Sequence, residues 1–136
     1  MRAFPKASDA LVVRTDFSDA AAWSRLRSSI EAPVGEFCAN VAFVDDRDYE
    51  GLTIEQLLAL VPEGSDQTFI FLADRDAISR PDHPVLVVDL VHQRGRLFRV
   101  IPSELWSIEN NLSIGNMDWE EFADNVDVDG VFRGFR

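Results

Sequence analysis

The sequence predicts a three-layer α/β protein, with a mostly parallel sheet of about five strands, an antiparallel edge hairpin and two C-terminal helices. Apolar, β-branched runs alternate with segments of helical periodicity, as is typical of a sheet covered by helices. The apolar run 85–91 is interrupted only by Asp89, which predicts a central strand buried on both faces. The length of 136 residues favours a single α/β domain over 1–136, since domains cluster at about 100 to 150 residues.

The first half of the chain predicts two strand–helix units and then a third strand. The first helix follows Asp16 or Ser18, either of which can cap it, and Pro33 ends it. The second helix begins at Thr53, which has the capping-box spacing to Gln56. The three strands are predicted at 10–17, 37–44 and 68–73, after a loose N-terminal lead-in over 1–9.

The second half predicts a hairpin followed by two helices. The strand 85–91 turns and returns over 96–101 as its antiparallel partner. The connection 74–83 is short for a parallel crossover, but one turn of helix could complete it, so we expect the third and fourth strands to be parallel. The predicted sheet order is second, first, third, fourth, fifth strand. Of the two helices that follow, the last begins at Asp118, which has the capping-box spacing to Glu121.

Composition narrows the classes of function. The net charge of −11 argues against direct binding to nucleic-acid phosphates, which requires clustered Lys and Arg. No apolar stretch approaches the roughly 18 residues that span a bilayer, and the first residues lack the apolar core of a signal peptide. Cys38 is the single cysteine and cannot form an internal disulfide, so we expect a cytoplasmic protein without a membrane partner.

The distribution of charge suggests a function in protein binding. Residues 100–132 contain eight acidic side chains and no Lys or Arg. If these carboxylates share one surface, their field attracts a basic partner, as in a small inhibitor or immunity-like protein. The alternative is a face that only keeps the protein soluble. The first hypothesis is therefore a non-catalytic interaction module without a cofactor, and its candidate partner-binding residues are Trp106, Glu109, Glu120, Glu121 and Asp124.

A second hypothesis is an enzyme that uses carboxylates at the C-terminal ends of the strands, where open α/β sheets bind ligands. Converging carboxylates could hold Mg²⁺ for phosphoryl transfer or hydrolysis. The same acids also suit helix caps and turns, and Asp89 could instead pair with Arg96 across the hairpin. The candidate metal ligands are Asp16, Asp45, Asp46, Asp74 and Asp89.

Several phrases of the sequence are similar to a known family. These phrases are LVVRTDFSDAAAW, YEGLTIEQLLALVP, HPVLVVDL and PSELWSIENNLSIGNMDWEEFADNVDVDGVFRGF. Together they resemble a family of small, uncharacterised bacterial proteins known only as a domain of unknown function. The resemblance covers roughly residues 10–135. It implies a natural, self-contained domain, and it brings no activity, substrate or site residue.

Overall fold

The computed structural model describes residues 2–135 and is built on a mixed sheet with strand order β2-β1-β3-β4-β5-β6, which confirms the α/β class. The strands are β1 Ala10–Arg14, β2 Val41–Val44, β3 Phe69–Ala73, β4 Val85–Asp89, β5 Leu97–Val100 and β6 Val131–Phe132. The helices are α1 Ala20–Glu31, α2 Ile54–Leu60, α3 Arg75–Ser79, α4 Leu105–Ser113 and α5 Trp119–Ala123. Two short 3-10 turns lie at Arg47–Tyr49 and Pro102–Glu104.

The directions of the strands correct one prediction. The order of the five predicted strands is confirmed, but β4 is antiparallel to both β3 and β5. The connection from β3 to β4 contains only α3, whose five residues rise about 7.5 Å. A parallel crossover would have to return along the full length of β3, about 17 Å. The chain therefore reverses, and the sheet is mixed, with parallel pairs at its two flanks.

Side chains alternate between two buried faces of the sheet. Val12 and Phe71 point to one face and pack in a cluster with residues of α1, α3, α4 and α5. Val13 and Leu72 point to the other face, which is covered by α2, the 3-10 turn at Arg47–Tyr49 and Phe4. The strands β1, β3 and β4 are buried at every position, including Arg14 and Asp89. For β4, the nearly continuous apolar run predicted this burial.

The capping residue predicted for α2 is confirmed, whereas the residue that caps α1 differs from the prediction. Thr53 and Gln56 form the predicted capping box of α2, with reciprocal bonds of 2.9 and 3.1 Å. The cap of α1 is Asp19 rather than Asp16 or Ser18, because the Asp19 carboxylate accepts from the Ala22 N–H at 2.9 Å.

The beginning and end of the described chain both pack on the sheet. Residues 2–9, here called the N-terminal segment, were expected as a loose lead-in, but the Phe4 side chain is buried and its N–H donates to the Leu60 carbonyl. The Gln67 amide donates to the Ala7 and Asp9 carbonyls, both at 2.9 Å. At the other end, Phe132 lies in β6, a strand that the sequence did not reveal, and its ring packs on neighbouring phenylalanines.

Candidate functional site

The ends of the strands form two edges of the sheet, an upper and a lower one, which differ in their polar groups. The upper edge is where β1, β2 and β3 end and β4 begins, and the lower edge is where β1, β2 and β3 begin and β4 ends. Four of the five candidate metal ligands follow strands at the upper edge. The fifth, Asp89, lies at the lower edge because β4 is reversed.

At the upper edge, Asp16 and Asp74 have local structural partners. Asp16 accepts from the Ser18 N–H at 2.9 Å and from the Ser18 hydroxyl, which closes the turn before α1. Asp74 caps α3 through the Ala77 N–H at 3.1 Å. It also binds Arg99 with two parallel bonds of 2.9 and 2.7 Å, the bidentate geometry of a strong charged pair. The hydrogen bonds to Asp74 raise the pKa of the Arg99 guanidinium.

Asp45 and Asp46 are also engaged within the chain. Asp45 lies 3.2 Å from the guanidinium of Arg14, whose side chain is buried and stacks over the Phe17 ring. Asp46 accepts from the Asp48 N–H at 2.9 Å and pairs with Arg2. The bond from Asp48, followed by the contact with Arg2, lowers the pKa of the Asp46 carboxyl.

The Asp89 side chain is only 1% exposed and caps the hairpin turn. Its carboxylate accepts from the N–H groups of Val91, His92 and Gln93 at 3.0, 3.2 and 2.9 Å. The Arg96 guanidinium, considered as its partner, instead donates to other side chains. The five carboxylates are therefore not brought together. Within residues 2–135, no group of three or more His, Cys, Asp or Glu is placed to hold a metal ion.

The candidate partner-binding residues also do not lie together on one surface. Glu109 is 3% exposed, so the expectation that it contacts a partner is corrected. Its carboxylate accepts from the Asn40 N–H at 2.5 Å, the Ser113 hydroxyl at 2.7 Å and the Asn110 amide at 3.0 Å. It thereby fixes α4 against the chain that enters β2. Counting charges along the sequence could not reveal this, because Asn40 is 69 positions away from Glu109.

Trp106 lies beside the same connection. Its ring stacks on Phe37, with centroids 4.4 Å apart and planes 11° apart. Phe37 was predicted to begin the second strand, but it forms an isolated bridge with Val34 and is half exposed. Trp106 is half-buried, and its Nε1 has no hydrogen-bond partner in the described part of the chain.

The remaining candidates belong to α5, which packs elsewhere. Trp119 packs on Phe98 of β5, with ring centroids 5.0 Å apart, and Phe122 packs on Phe132 of β6, with ring centroids 5.3 Å apart. Asp124 pairs with Arg96 at 3.1 Å, so it is already matched by a cation. Glu120 and Glu121 have no ion-pair partner among residues 2–135, although Glu121 serves the capping box of α5.

Arginines from other parts of the chain also neutralise the turn before β6. Arg133 lies 2.8 Å from Asp129 and 2.9 Å from Asp127, and Arg80 reaches Asp129 at 3.3 Å. The hydrogen bond from Arg133 is the main reason that the pKa of Asp129 falls well below its usual range. The acidic stretch of the sequence is therefore not one uncompensated surface.

The lower edge retains exposed acids that were not among the candidate partner-binding residues. Asp9, Glu63, Asp66 and Asp118 are exposed, and within the described chain none has an ion-pair partner. They border neighbouring depressions at this edge, and Glu120 and Glu121 follow Asp118 in α5. Glu63 and Asp66 lie in the polar connection after α2, and its sequence could have indicated an exposed acidic loop. We call these six residues the lower acidic edge.

One of the depressions at the lower edge is a cavity of about 290 Å³. The N-terminal segment and the connection between α2 and β3 form its walls. Buried apolar side chains form its floor, and charged or amide side chains surround its mouth. The floor consists of Phe4, Leu11, Ile70 and Leu90, and the mouth of Lys6, Glu63, Asp66 and Gln67.

The fold and these two edges define an acidic α/β protein with a mixed six-stranded sheet, without a recognisable metal centre among residues 2–135. The chain belongs to the family described as a domain of unknown function, DUF6924, whose model matches residues 9–135. This confirms the resemblance to an uncharacterised family. No curated protein matches the chain. None of the helices in the described residues has the length and apolar character needed to cross a membrane.

Proposed function

We propose that the protein is a non-catalytic interaction module that binds a basic protein partner through the lower acidic edge. The observation that carries this proposal is the uneven distribution of cations between the two edges. At the upper edge, carboxylates such as Asp45 and Asp74 already have arginine partners. At the lower edge, Glu63 and Asp66 are exposed and, within residues 2–135, have none.

Among the described residues, few free cations lie at the lower edge, since Arg96 there pairs with Asp124. Arg94 is the nearest guanidinium in sequence to the end of β4, and it donates to the carbonyls of Leu58 and Leu90 at 2.7 and 2.9 Å. Lys6 is exposed at the mouth of the cavity, opposite two carboxylates. Arg94 and Lys6 keep their charge, and Arg96 adds a third cation, but these three face the six residues of the lower acidic edge and Asp124. The field of this edge is therefore negative, and such a field accelerates encounter with a positively charged surface in a salt-dependent way.

The non-catalytic character is supported by how the carboxylates of the upper edge are used. Each of them already closes a turn, caps a helix or balances a buried or half-buried arginine. Moving them to serve a metal would leave those groups unsatisfied, which costs about 1 to 3 kcal/mol for each group. The exposed single cysteine, Cys38, is consistent with the cytoplasmic location that we propose.

Affinity capture from a lysate of the source organism tests the proposal with two matched double variants. Asp66→Lys with Glu120→Lys changes the lower acidic edge, and Asp48→Lys with Glu55→Lys changes exposed acids near the upper edge. Each pair moves the net charge from −11 to −7, since two reversals add four units. We expect the captured protein to be basic and its Kd to weaken about tenfold with the first pair only, corresponding to about 1.4 kcal/mol.

Circular dichroism and urea denaturation of both double variants provide the folding control. Neither pair is expected to change the fold, because the four side chains are at the surface and make few bonds. Equal loss of binding in both variants would mean that only total charge matters. Undiminished capture by the lower-edge variant, or binding that is unaffected by high salt, would eliminate the docking proposal.

A further inference from the structure

The cavity at the lower edge is fixed by discrete contacts rather than by sheet pairing. The N-terminal segment is attached by Tyr49, whose hydroxyl lies 3.0 and 3.1 Å from the Arg2 and Ala3 carbonyls. The Phe4 N–H donates to the Leu60 carbonyl at 3.1 Å, and the Gln67 amide holds the Ala7 carbonyl. Between these attachments, Pro5, Lys6 and Ala7 line the cavity, so one of its walls is present before any ligand arrives.

The size and floor of the cavity suit an apolar group. Leu11, Ile70 and Leu90 lie at the inner end of the cavity and are each no more than 3% exposed, so the cavity ends on the apolar core. A volume of about 290 Å³ exceeds the roughly 150 Å³ of an apolar cavity that accommodates benzene. It lies near the lower end of ligand pockets, which begin at about 300 Å³. One aromatic or branched aliphatic group therefore fits.

The charged side chains at the mouth of the cavity favour an occupant that carries a positive charge beside its apolar group. Glu63 and Asp66 contribute two carboxylates against the single ammonium of Lys6, so the mouth is negative by one charge. Gln67 lines the same mouth, but its amide nitrogen is already held by the Ala7 and Asp9 carbonyls. An occupant with a cation beside its apolar group meets both surfaces at once, whereas an anionic occupant meets repulsion.

We propose that this cavity receives one large apolar side chain of the basic protein partner, with a neighbouring Lys or Arg of that partner on Glu63 and Asp66. This inference rests on the proposed function, because it identifies the anchoring contact within the docking edge. An apolar group buried in a pocket and surrounded by charged residues is the usual anatomy of an interface hot spot.

The chemistry of the cavity can be tested without the partner. In an NMR titration of the full chain, phenethylamine supplies an aromatic ring with a cation, and phenylacetate supplies the same ring with an anion. We expect phenethylamine to shift the backbone amide signals of Leu11, Ile70 and Leu90. We expect phenylacetate to bind about two- to fivefold more weakly, the range typical of exposed charge contacts.

Substitutions that fill the cavity locate the binding. Ala7→Phe places a ring in the cavity and is expected to abolish the phenethylamine shifts, whereas Ala21→Phe adds the same ring on the exposed face of α1 and is expected to change nothing. If Ala7→Phe fails to fold, Ser65→Phe fills the cavity from the opposite wall. With the partner in hand, the filled variant is expected to bind at least tenfold more weakly.

Three results would overturn the inference. They are the absence of shifts at the floor residues, shifts that persist in the filled variant, and equal binding of the two probes. None of these results bears on the Asp66→Lys and Glu120→Lys experiment, so the docking proposal stands or fails separately. Conversely, probe binding with unchanged capture by the lower-edge variant would leave a ligand cavity in a protein that docks elsewhere, and would refute the anchoring role.

Discussion

Both edges of the sheet are rich in carboxylates, but in the described chain most of the arginines that pair with carboxylates lie at the upper edge, while Arg96 pairs with Asp124 at the lower edge. Arg99 binds Asp74 through two hydrogen bonds, and Arg133 contacts Asp127 and Asp129. At the lower edge, exposed acids such as Asp66 have no cation partner in the described chain. Most acids of the upper edge therefore have partners within the fold, whereas Glu63 and Asp66 at the lower edge stay exposed.

This difference shows that a count of acids along the sequence is a poor guide to surface potential. The stretch 100–132 has no base of its own, but arginines just before β5, just after α3 and just after β6 reach several of its carboxylates. The six residues of the lower acidic edge come from three separate parts of the chain, and only one of these parts lies within that stretch. Three changes of the protein or its solution sharpen the comparison between the edges.

The largest effect is expected from Arg99→Met, which keeps an apolar stem and removes the charged donor. Asp74 and the Pro84 carbonyl then lose their bonds, and we expect the free energy of unfolding to fall by about 2 kcal/mol in urea denaturation. The figure is below the 3 to 5 kcal/mol of a fully buried pair because Arg99 and Asp74 are 17% and 26% exposed.

Lys6→Met is the matched change at the lower edge. Lys6 is exposed, and we expect its replacement to change stability by less than about 0.5 kcal/mol. Similar losses in the two variants would contradict the distinction between a structural edge and an available one.

An intermediate effect is expected on acidification. The folded-state pKa of Asp129 is depressed, so the unfolded chain binds its proton more readily and folding stability falls as the pH drops through the ordinary range of an Asp. We expect the loss to begin below about pH 5 and to continue below the unfolded value of about 3.9. Arg133→Gln should lower the free energy of unfolding near neutral pH. It should also make the further loss of stability on acidification, here called the acid limb, smaller, as urea denaturation at pH 7 and pH 4 would measure.

Lys6→Gln again serves as the lower-edge comparison. It removes a cation that has no ion pair in the described residues, and its acid limb should follow that of the wild-type chain. An unchanged limb in Arg133→Gln would show that the Arg133 contacts do not control the titration of Asp129.

The smallest effect is expected from Mg²⁺. Because Asp16, Asp45, Asp46 and Asp74 have separate partners and Asp89 lies at the opposite edge, millimolar Mg²⁺ should leave the Tm unchanged. Thermal denaturation with and without the ion, at constant ionic strength, measures this. A shift that disappears in Asp45→Asn would revive the enzyme hypothesis and give the upper edge a role of its own.

Local features of the fold could be predicted from the sequence, and features that depend on distant pairing could not. The capping box of Thr53 and Gln56 depends on four consecutive residues, so its pattern was sufficient. The direction of β4 depends on whether ten residues can cross the sheet, and the apolar pattern alone does not determine this. The two residues of β6 are too few to show a period.

The candidate site was less predictable for the same reason. Glu109 is of a residue type usually found at the surface, and its bond from the distant Asn40 forms only in the folded chain. The cavity depends on Leu11, Ile70 and Leu90, which lie far apart in the sequence and meet only in the folded sheet. The exposed loop of Glu63 and Asp66 was visible as a polar segment, but nothing nearby indicated the apolar floor beside it.

The reversed direction of β4 also has a consequence for how the chain reaches its native state. The strands β3, β4 and β5 form a meander with short connections, whereas β2 and β6 join through long crossovers. Closing short loops costs less entropy, so we expect the meander to form first and the flanks to dock later. Pulsed amide exchange during refolding should then protect the middle of the sheet before either border.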